Sequence, residues 1–180
     1  GVTGAREIGV NVARSAAIPF KLDNYLSFQV ACALIRQQLA AALADHGASA
    51  ELSGHLELFP DERVTFYVNC HPCPESGLPA GVSPGSPAEL LDAVRSVTQR
   101  LDAIPVTESA VRAARATLLK DLENRYAAPE TLMEDVLVRY SEGKDLVSDY
   151  KAAVQRVSVA GVREMLELLS EGGEVEYTIQ

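Results

Sequence analysis

The spacing of apolar residues changes along the N-terminal part of the chain. Apolar and polar residues alternate in residues 6–18, which is typical of a half-buried strand. From Leu22 the apolar positions recur every three or four residues, and this period predicts a long helix. The helix is expected to end near His46, because Gly47 is a natural C-terminal stop.

Two strand patterns follow this helix. Residues 48–58 place apolar residues at spacings of two and four, and residues 64–70 are rich in β-branched and aromatic side chains. The turn residues Pro60-Asp61-Glu62 stand between them, so the pair predicts a β-hairpin. Residues 71–87 contain five Pro and three Gly, which predicts a loop that separates the two halves of the chain.

The second half is mainly helical in pattern. Ser86-Pro87-Ala88-Glu89 is a capping box with Pro at the first helical position, and the helix is expected to reach Ile104 and end at Pro105. Four further helices are predicted, with expected starts at Thr107, Pro129, Leu146 and Ser158. After Gly172-Gly173, residues 174–179 alternate strictly and predict a closing strand.

The order of these elements is strand, long helix, hairpin, several helices and a last strand. It predicts an α+β fold, a two-layer sandwich in which helices cover one face of a mainly antiparallel sheet. A length of 180 residues suits one domain, so residues 1–180 are assigned to a single domain. The start at Gly1, without Met or signal-peptide regions, suggests a processed protein or a piece of a longer multidomain chain.

Composition and charge exclude several classes of partner. With 47% hydrophobic and 23% charged residues, the chain is neither disordered nor of low complexity. No apolar run approaches the roughly 18 residues of a membrane span, so no membrane partner is predicted. The net charge of −9 argues against nucleic acid, because binding phosphates requires a basic surface.

One cluster of cysteine and histidine residues could form a metal site. Cys70-His71-Pro72-Cys73 offers three side chains that could hold zinc, but a structural site needs a fourth ligand, and the chain has no second cysteine pair. The favoured interpretation is a strand end that runs into a loop, or an incidental disulfide. Cys32 lies in an apolar run and is expected to be a buried small hydrophobe.

Motifs that carry catalytic chemistry are absent from the sequence. There is no phosphate-binding glycine loop, no G-x-S-x-G and neither H-E-x-x-H nor H-x-x-E-H. His46 is expected at a helix end and His55 on an exposed strand position, without partners at ligand spacing. The remaining charged candidates are expected to be solvated surface; they are Glu123/Arg125, Glu164/Glu167 and the junction Glu142, Lys144, Asp145. No catalytic, cofactor-binding or metal-binding residue is therefore assigned.

Residues 104–115 nevertheless resemble a known family. The stretch from Ile104 to Arg115 is similar to a helix entry in the pitrilysin/insulinase-type zinc metallopeptidases. Residues 139–145, 157–162 and 175–177 resemble the C-terminal portion of the same family. The order of elements also matches, so the resemblance covers roughly residues 6–179.

The resemblance implies a clamshell of repeated α/β domains, of which this chain is one. In the active domain of such enzymes, H-x-x-E-H and a distal Glu bind zinc, and the motif Glu is the general base. Because this chain lacks that motif, it resembles a non-zinc, C-terminal type of domain, and zinc is expected only in another domain. Residues 43–50 match the place where the family carries a peptide-gripping Arg and Tyr, but Ala44 and Ala50 stand near those positions.

These implications give the expected function. The chain is expected to help enclose and bind peptide substrate and to pack against the zinc-bearing domain, in the same chain or in a partner chain. A homodimer is left open. The resemblance implies that the parent protein is a zinc metalloendopeptidase, whereas this chain alone lacks the zinc and the catalytic motif. If the protein is bacterial, the periplasm or cell envelope is favoured slightly over the cytoplasm. The alternative from another class is a free-standing structural or assembly module of the same fold, and a third hypothesis is an independent enzyme with an unrecognised site.

Overall fold

A computed structural model describes residues 9–58, 60–126 and 146–179. The elements in chain order are β1 (Gly9–Ala17), α1 (Leu22–Leu43), β2 (Ala48–Glu57), β3 (Arg63–Pro72), α2 (Pro87–Thr98), α3 (Glu108–Tyr126), α4 (Leu146–Arg156), α5 (Val159–Glu171) and β4 (Gly173–Ile179). These bounds confirm the predicted strands, hairpin and helices within the described residues, except for the C-terminal end of α2. The helix predicted to open at Pro129, and the junction around Glu142, Lys144 and Asp145, lie outside them.

The four described strands form one antiparallel sheet in the order β2-β3-β1-β4. The hairpin supplies β2 and β3, and β4 returns from the end of the helical block to pair with β1. The predicted α+β class is confirmed, with helices packed on the sheet.

The core lies between the sheet and the helices. On β1 and β3 the even-numbered residues point towards the helices, and Val12, Phe66 and Val68 among them are at most 1% exposed. The helix α1 crosses β2 and also contacts α2 and α5. It therefore carries much of the buried apolar surface, including Leu26, Phe28 and Ile35.

By length and hydropathy alone, α1 also meets the criterion for a membrane span. The segment Leu22–His46 reaches a mean hydropathy of 1.2 in an 18-residue window, although polar residues interrupt its apolar runs. Half of that window is buried inside the fold. The burial explains the hydropathy, because a helix at the centre of a folded core passes the same test.

Three predicted helix starts are confirmed by their capping contacts. Ser86 Oγ accepts from the Glu89 amide at 3.3 Å, and Glu89 Oε2 accepts from the Ser86 amide at 2.7 Å, which completes the capping box. The bond from the Ser86 amide also lowers the pKa of the Glu89 carboxyl. Thr107 Oγ1 accepts from the Ala110 amide at 3.2 Å, and Ser158 Oγ accepts from the Gly161 amide at 3.1 Å.

The end of α2 differs from the prediction. The helix was expected to continue to Ile104, but it ends at Thr98, and Arg100 has φ −134 and ψ 41, outside the helical region. A short 3-10 helix of residues 101–103 follows and contacts α5. This break turns Leu101 and Ile104 into the core, where they are 0% and 8% exposed.

A buried arginine in the central strand is the largest departure from the sequence pattern. Arg14 is 7% exposed, and its Nη1 donates to the carbonyls of Leu169 and Ser170, each at 2.8 Å. Its Nε lies 3.5 Å from Glu174 Oε1. The guanidinium therefore satisfies carbonyls at the C-terminus of α5, where a cation also complements the helix dipole. The contact ties β1, α5 and β4 together.

Candidate functional site

The junction between α1 and β2 is the segment in which the family resemblance would place gripping side chains. Ala44 is exposed on a short 3-10 helix after α1, and Ala50 is half-buried in β2. Gly47 has φ 58, and a Cβ there would lie 3.1 Å from the Ser83 carbonyl oxygen. The junction therefore depends on glycine at this turn. Neither alanine offers a group that could grip a peptide.

The Cys70-His71-Cys73 cluster is divided by the pleat of β3. Successive strand residues point to opposite faces, so Cys70 is buried beneath the helices while His71 lies on the other face. There His71 Nε2 is 3.3 Å from Ser49 Oγ. Cys73 is half-buried beyond the strand end, where its amide donates to the Gly47 carbonyl at 2.8 Å. The cluster is a strand end that runs into a loop, as the favoured interpretation predicted.

Two of the three thiols, Cys32 and Cys70, are unsuited to nucleophilic chemistry because they are buried. All three are free, and Cys32 and Cys70 are fully buried. Burial raises the pKa of the Cys32 thiol to about 12, against a smaller opposing effect of Arg36. Burial, with the adjacent Cys73, raises the pKa of Cys70 to about 11. Within the described residues no three His, Cys, Asp or Glu side chains come together as a metal site, so the residues present do not fit zinc.

The other predicted candidates lie apart from one another. His46 closes the 3-10 helix after α1, and His55 is exposed on β2, where its ring centroid is 5.8 Å from that of Tyr67. Three acidic residues are exposed on helices, as expected; they are Glu123 on α3 and Glu164 and Glu167 on α5. The side chain of Arg125 is not among those the structure describes. None of the described histidines is in contact with a hydroxyl or thiol nucleophile and an orienting carboxylate.

A cleft of about 700 Å³ lies beside α2, and its lining is charged and polar. The lining residues are Asp92, Arg95, Ser96, Gln99 and Arg100. Arg95 Nη1 is 3.8 Å from Asp92 Oδ1, so part of its charge is already offset. None of these lining residues is aliphatic or aromatic, whereas such side chains predominate in small-molecule sites.

The face of the sheet opposite the described helices is the more informative surface. We call it the open face, and it is formed by the odd-numbered residues of β1, β2 and β3 together with Val175 of β4. Ala13 on β1 is paired with Tyr67 on one side and with Val175 on the other. Tyr67 is 40% and Val175 64% exposed, so this row presents apolar surface to solvent. The β2 end of the face is polar, with Glu51, Ser53 and His55 exposed.

Two polar atoms under the open face have no hydrogen-bond partner among the described residues. They are Nδ2 of Asn11 and Oγ1 of Thr65, on residues that are 8% and 5% exposed. An unsatisfied buried polar group costs about 1–3 kcal/mol. Sequence reasoning missed both, because a polar residue in an alternating strand is expected to face water. A surface that combines exposed apolar side chains with unsatisfied polar atoms is typical of a site that another chain covers.

Comparisons with known proteins identify the fold. No protein-family model and no curated protein matches the sequence. Among solved structures, the ferredoxin protease FusC, determined with Arabidopsis ferredoxin, is 16% identical with a TM-score of 0.68. A chain from Bordetella pertussis Tohama I, provisionally named a zinc protease, is 17% identical with a TM-score of 0.63. The inactive peptidase domain of a Bordetella parapertussis protein with the same provisional name is 16% identical, with a TM-score of 0.60.

The shares of chain length in these matches differ widely. The match to FusC covers 96% of this chain but only 18% of that one. The two Bordetella matches cover 96% and 98% of this chain, and 94% and 96% of theirs. At such identities the comparisons establish the fold alone. They confirm that the chain has the fold of peptidase domains of this kind, an inactive one included, as the sequence resemblance indicated.

Proposed function

We propose that this chain is a non-catalytic domain of a pitrilysin/insulinase-type zinc peptidase, which packs against the zinc-bearing domain and helps to enclose peptide. The observation that carries the proposal is the open face. Val175 and the ring of Tyr67 are exposed on either side of the half-buried Ala13, and polar atoms of Asn11 and Thr65 lie beneath them without a partner among the described residues. A partner surface would bury the exposed apolar side chains and supply hydrogen-bond partners for the unsatisfied polar atoms.

The fold and the metal-ligating residues of the chain support the assignment as a non-catalytic domain. A structural neighbour of nearly the same length is named an inactive peptidase domain. The sequence has no H-x-x-E-H, and the described residues contain no group of three metal-ligating side chains. On this proposal the zinc, and the water that it activates, belong to another domain.

The acidity of the chain suggests the class of peptide. The net charge is −9, and Glu51 is exposed at the β2 end of the open face. A negative field at a chamber wall would attract basic peptides, and the attraction would weaken with salt. Binding of a Lys/Arg-rich peptide that is insensitive to salt would contradict this part of the proposal.

The packing part of the proposal is tested with a pair of variants. The double variant Tyr67→Ser/Val175→Ser removes the exposed apolar groups, and Glu123→Gln on the outer side of α3 is the matched control. Each chain is titrated with an H-x-x-E-H-bearing domain from the same genome, and binding is measured by sedimentation. We expect the double variant to bind at least about tenfold more weakly, because apolar anchors dominate such interfaces. Equal binding by all three chains would contradict packing through the open face.

A free-standing structural module of the same fold is the second candidate. The two candidates differ in partner, because a module that acts without the peptidase would not bind the zinc-bearing domain even with its open face intact.

A further inference from the structure

The direction of the backbone groups along β2 follows from one contact at its start. The Cys73 amide donates to the Gly47 carbonyl, so Gly47 and Cys73 form a hydrogen-bonded pair just outside the β2–β3 ladder. In an antiparallel ladder, bonded and non-bonded pairs alternate. The odd-numbered residues of β2 therefore bond to β3, and the even-numbered residues direct their amide and carbonyl groups away from β3. Leu52 is the middle one of these five outward residues.

In the described sheet β2 is an edge strand, and one helix side chain covers the middle of that edge. Nε and Nη2 of Arg36 donate to the Leu52 carbonyl at 3.2 and 3.0 Å. Neighbouring strands lie about 4.8 Å apart, so a guanidinium at hydrogen-bond distance from Leu52 occupies the line that an added strand would follow. Arg36 thus occupies the Leu52 carbonyl with its hydrogen bonds and blocks the space beside it.

The close packing of α1 on β2 brings Arg36 to this position. A Cβ on Gly54 would lie 2.8 Å from Phe28 Cε1 and 2.9 Å from Cys32 Sγ, so α1 approaches β2 as closely as a glycine allows. Phe28, Cys32 and Arg36 are four residues apart and share one face of the helix. The first two are buried against the strand, and the third reaches its outer edge.

Charge adds a second protection to the same edge. Glu51 and Glu57 lie on β2 with their side chains on the open face, and Glu51 is exposed. When two copies of β2 pair antiparallel, these carboxylates come close to those of the other copy and repel them, and salt weakens that repulsion. Proteins commonly protect edge strands in both ways, by covering them and by charging them.

We infer that the outer edge of β2 is a latent strand-pairing surface and that Arg36 keeps it closed to a second copy of this chain. The second copy is the natural occupant, because two identical edges can pair about a two-fold axis and satisfy each other's outward groups. Removal of the guanidinium frees the Leu52 carbonyl and the space beside it.

The test compares Arg36→Ala with the wild-type chain, with Arg112→Ala on the exposed face of α3 as the matched loss of one charge. Self-association is measured by sedimentation equilibrium at low and high salt, and amide hydrogen exchange is followed at Leu52 and Gly54. We expect Arg36→Ala to raise the association constant about tenfold, since a hydrogen bond to a charged group and its excluded volume are both lost. The two amides should gain protection as concentration rises, and salt should increase the effect.

A second variant tests whether the guanidinium itself blocks the edge, independently of its charge and of any effect on folding. Arg36→Lys keeps the charge and the apolar stem but loses the planar fork that holds Leu52. It should still associate more than the wild type, by about threefold. If Arg36→Ala loses its fold, Arg36→Lys alone decides the question. Association equal to the wild type in every folded Arg36 variant would overturn the inference.

Discussion

The two faces of one sheet follow different physical rules in this molecule. On the face under the helices, Val12, Phe66 and Val68 are almost completely buried. Arg14 is buried on the same face, where it donates hydrogen bonds to carbonyls of α5 and forms an ion pair with Glu174. The open face exposes Tyr67 and Val175 and leaves polar atoms of Asn11 and Thr65 unsatisfied. Unsatisfied polar atoms occur on both sides among the described residues, since Arg14 Nε and Glu174 Oε1 also lack hydrogen-bond partners, so the faces differ mainly in how much apolar surface they expose. This difference indicates that the helix-covered face stabilises the fold and the open face is available for interaction.

Neighbouring residues on β3 provide the strongest test of this contrast. Phe66 is fully buried, so Phe66→Ala should lower the free energy of unfolding by about 3–5 kcal/mol, through lost burial and the cavity left behind. Tyr67 lies one residue further on the open face, and Tyr67→Ala should cost no more than about 1 kcal/mol. Urea unfolding of the two variants measures both. Similar losses for both would show that the two faces do not differ as described.

Arg14 should have the next largest effect. Arg14→Ala leaves the carbonyls of Leu169 and Ser170 and the carboxylate of Glu174 without their cation, which should cost about 3 kcal/mol. Arg112→Ala, on an exposed position of α3, should change stability by less than about 0.5 kcal/mol. A small effect of Arg14→Ala in thermal or urea unfolding would mean that its contacts contribute little.

The buried thiols should make stability fall at alkaline pH. The ordinary thiol pKa is 9.0, and burial raises that of Cys32 to about 12 and that of Cys70 to about 11. Below pH 9 the thiols are protonated in both the folded and the unfolded state, so they do not change the free energy of unfolding. As pH rises further, the thiols of the unfolded chain ionise first, and unfolding becomes more favourable. Cys32→Ala should reduce this alkaline slope, and Ser76→Ala, at an exposed loop position without an ionisable group, should leave it unchanged. Equal slopes in all three chains would show that the buried thiols do not control it.

The capping box on α2 should contribute a smaller amount. Ser86→Ala removes the oxygen that accepts from Glu89, and the expected loss of stability is about 1 kcal/mol. Ser76→Ala is the matched control, because Ser76 is exposed in the loop before α2, and it should be neutral within about 0.3 kcal/mol. Denaturation midpoints of the two variants give the comparison, and equal midpoints would contradict the role of the cap.

The open-face double variant should have the smallest effect on the isolated chain. Tyr67→Ser/Val175→Ser changes two exposed side chains, so the free energy of unfolding should shift by less than about 1 kcal/mol. The same variant is expected to weaken binding to the zinc-bearing domain. A large loss of stability would instead assign these residues to the fold of this chain.

Much of the covered face could be predicted from the sequence, because it depends on local patterns. Period two identified the strands, and Ser86, Thr107 and Ser158 marked helix starts that the capping contacts confirm. The division of the cysteine cluster also follows from the pleat, which places residues 70 and 71 on opposite faces.

Arg14 could not be predicted in the same way. A charged residue in an alternating strand is expected to face water, and nothing near it in the sequence supplies a partner. The carbonyls that accept from it belong to residues 155 and 156 positions further along the chain, and they converge on it only when α5 and β4 are in place. The position of Arg36 at the edge of β2 similarly depends on how closely α1 packs against Gly54.

The most direct test of the central proposal is the metal content and peptidase activity of the purified chain. Native mass spectrometry after incubation with zinc should show no stoichiometric metal, and a mixture of unstructured peptides should remain intact. Cleavage should appear only when the zinc-bearing domain is added. Stoichiometric zinc on this chain alone, together with peptide cleavage that a chelator abolishes, would contradict a non-catalytic domain.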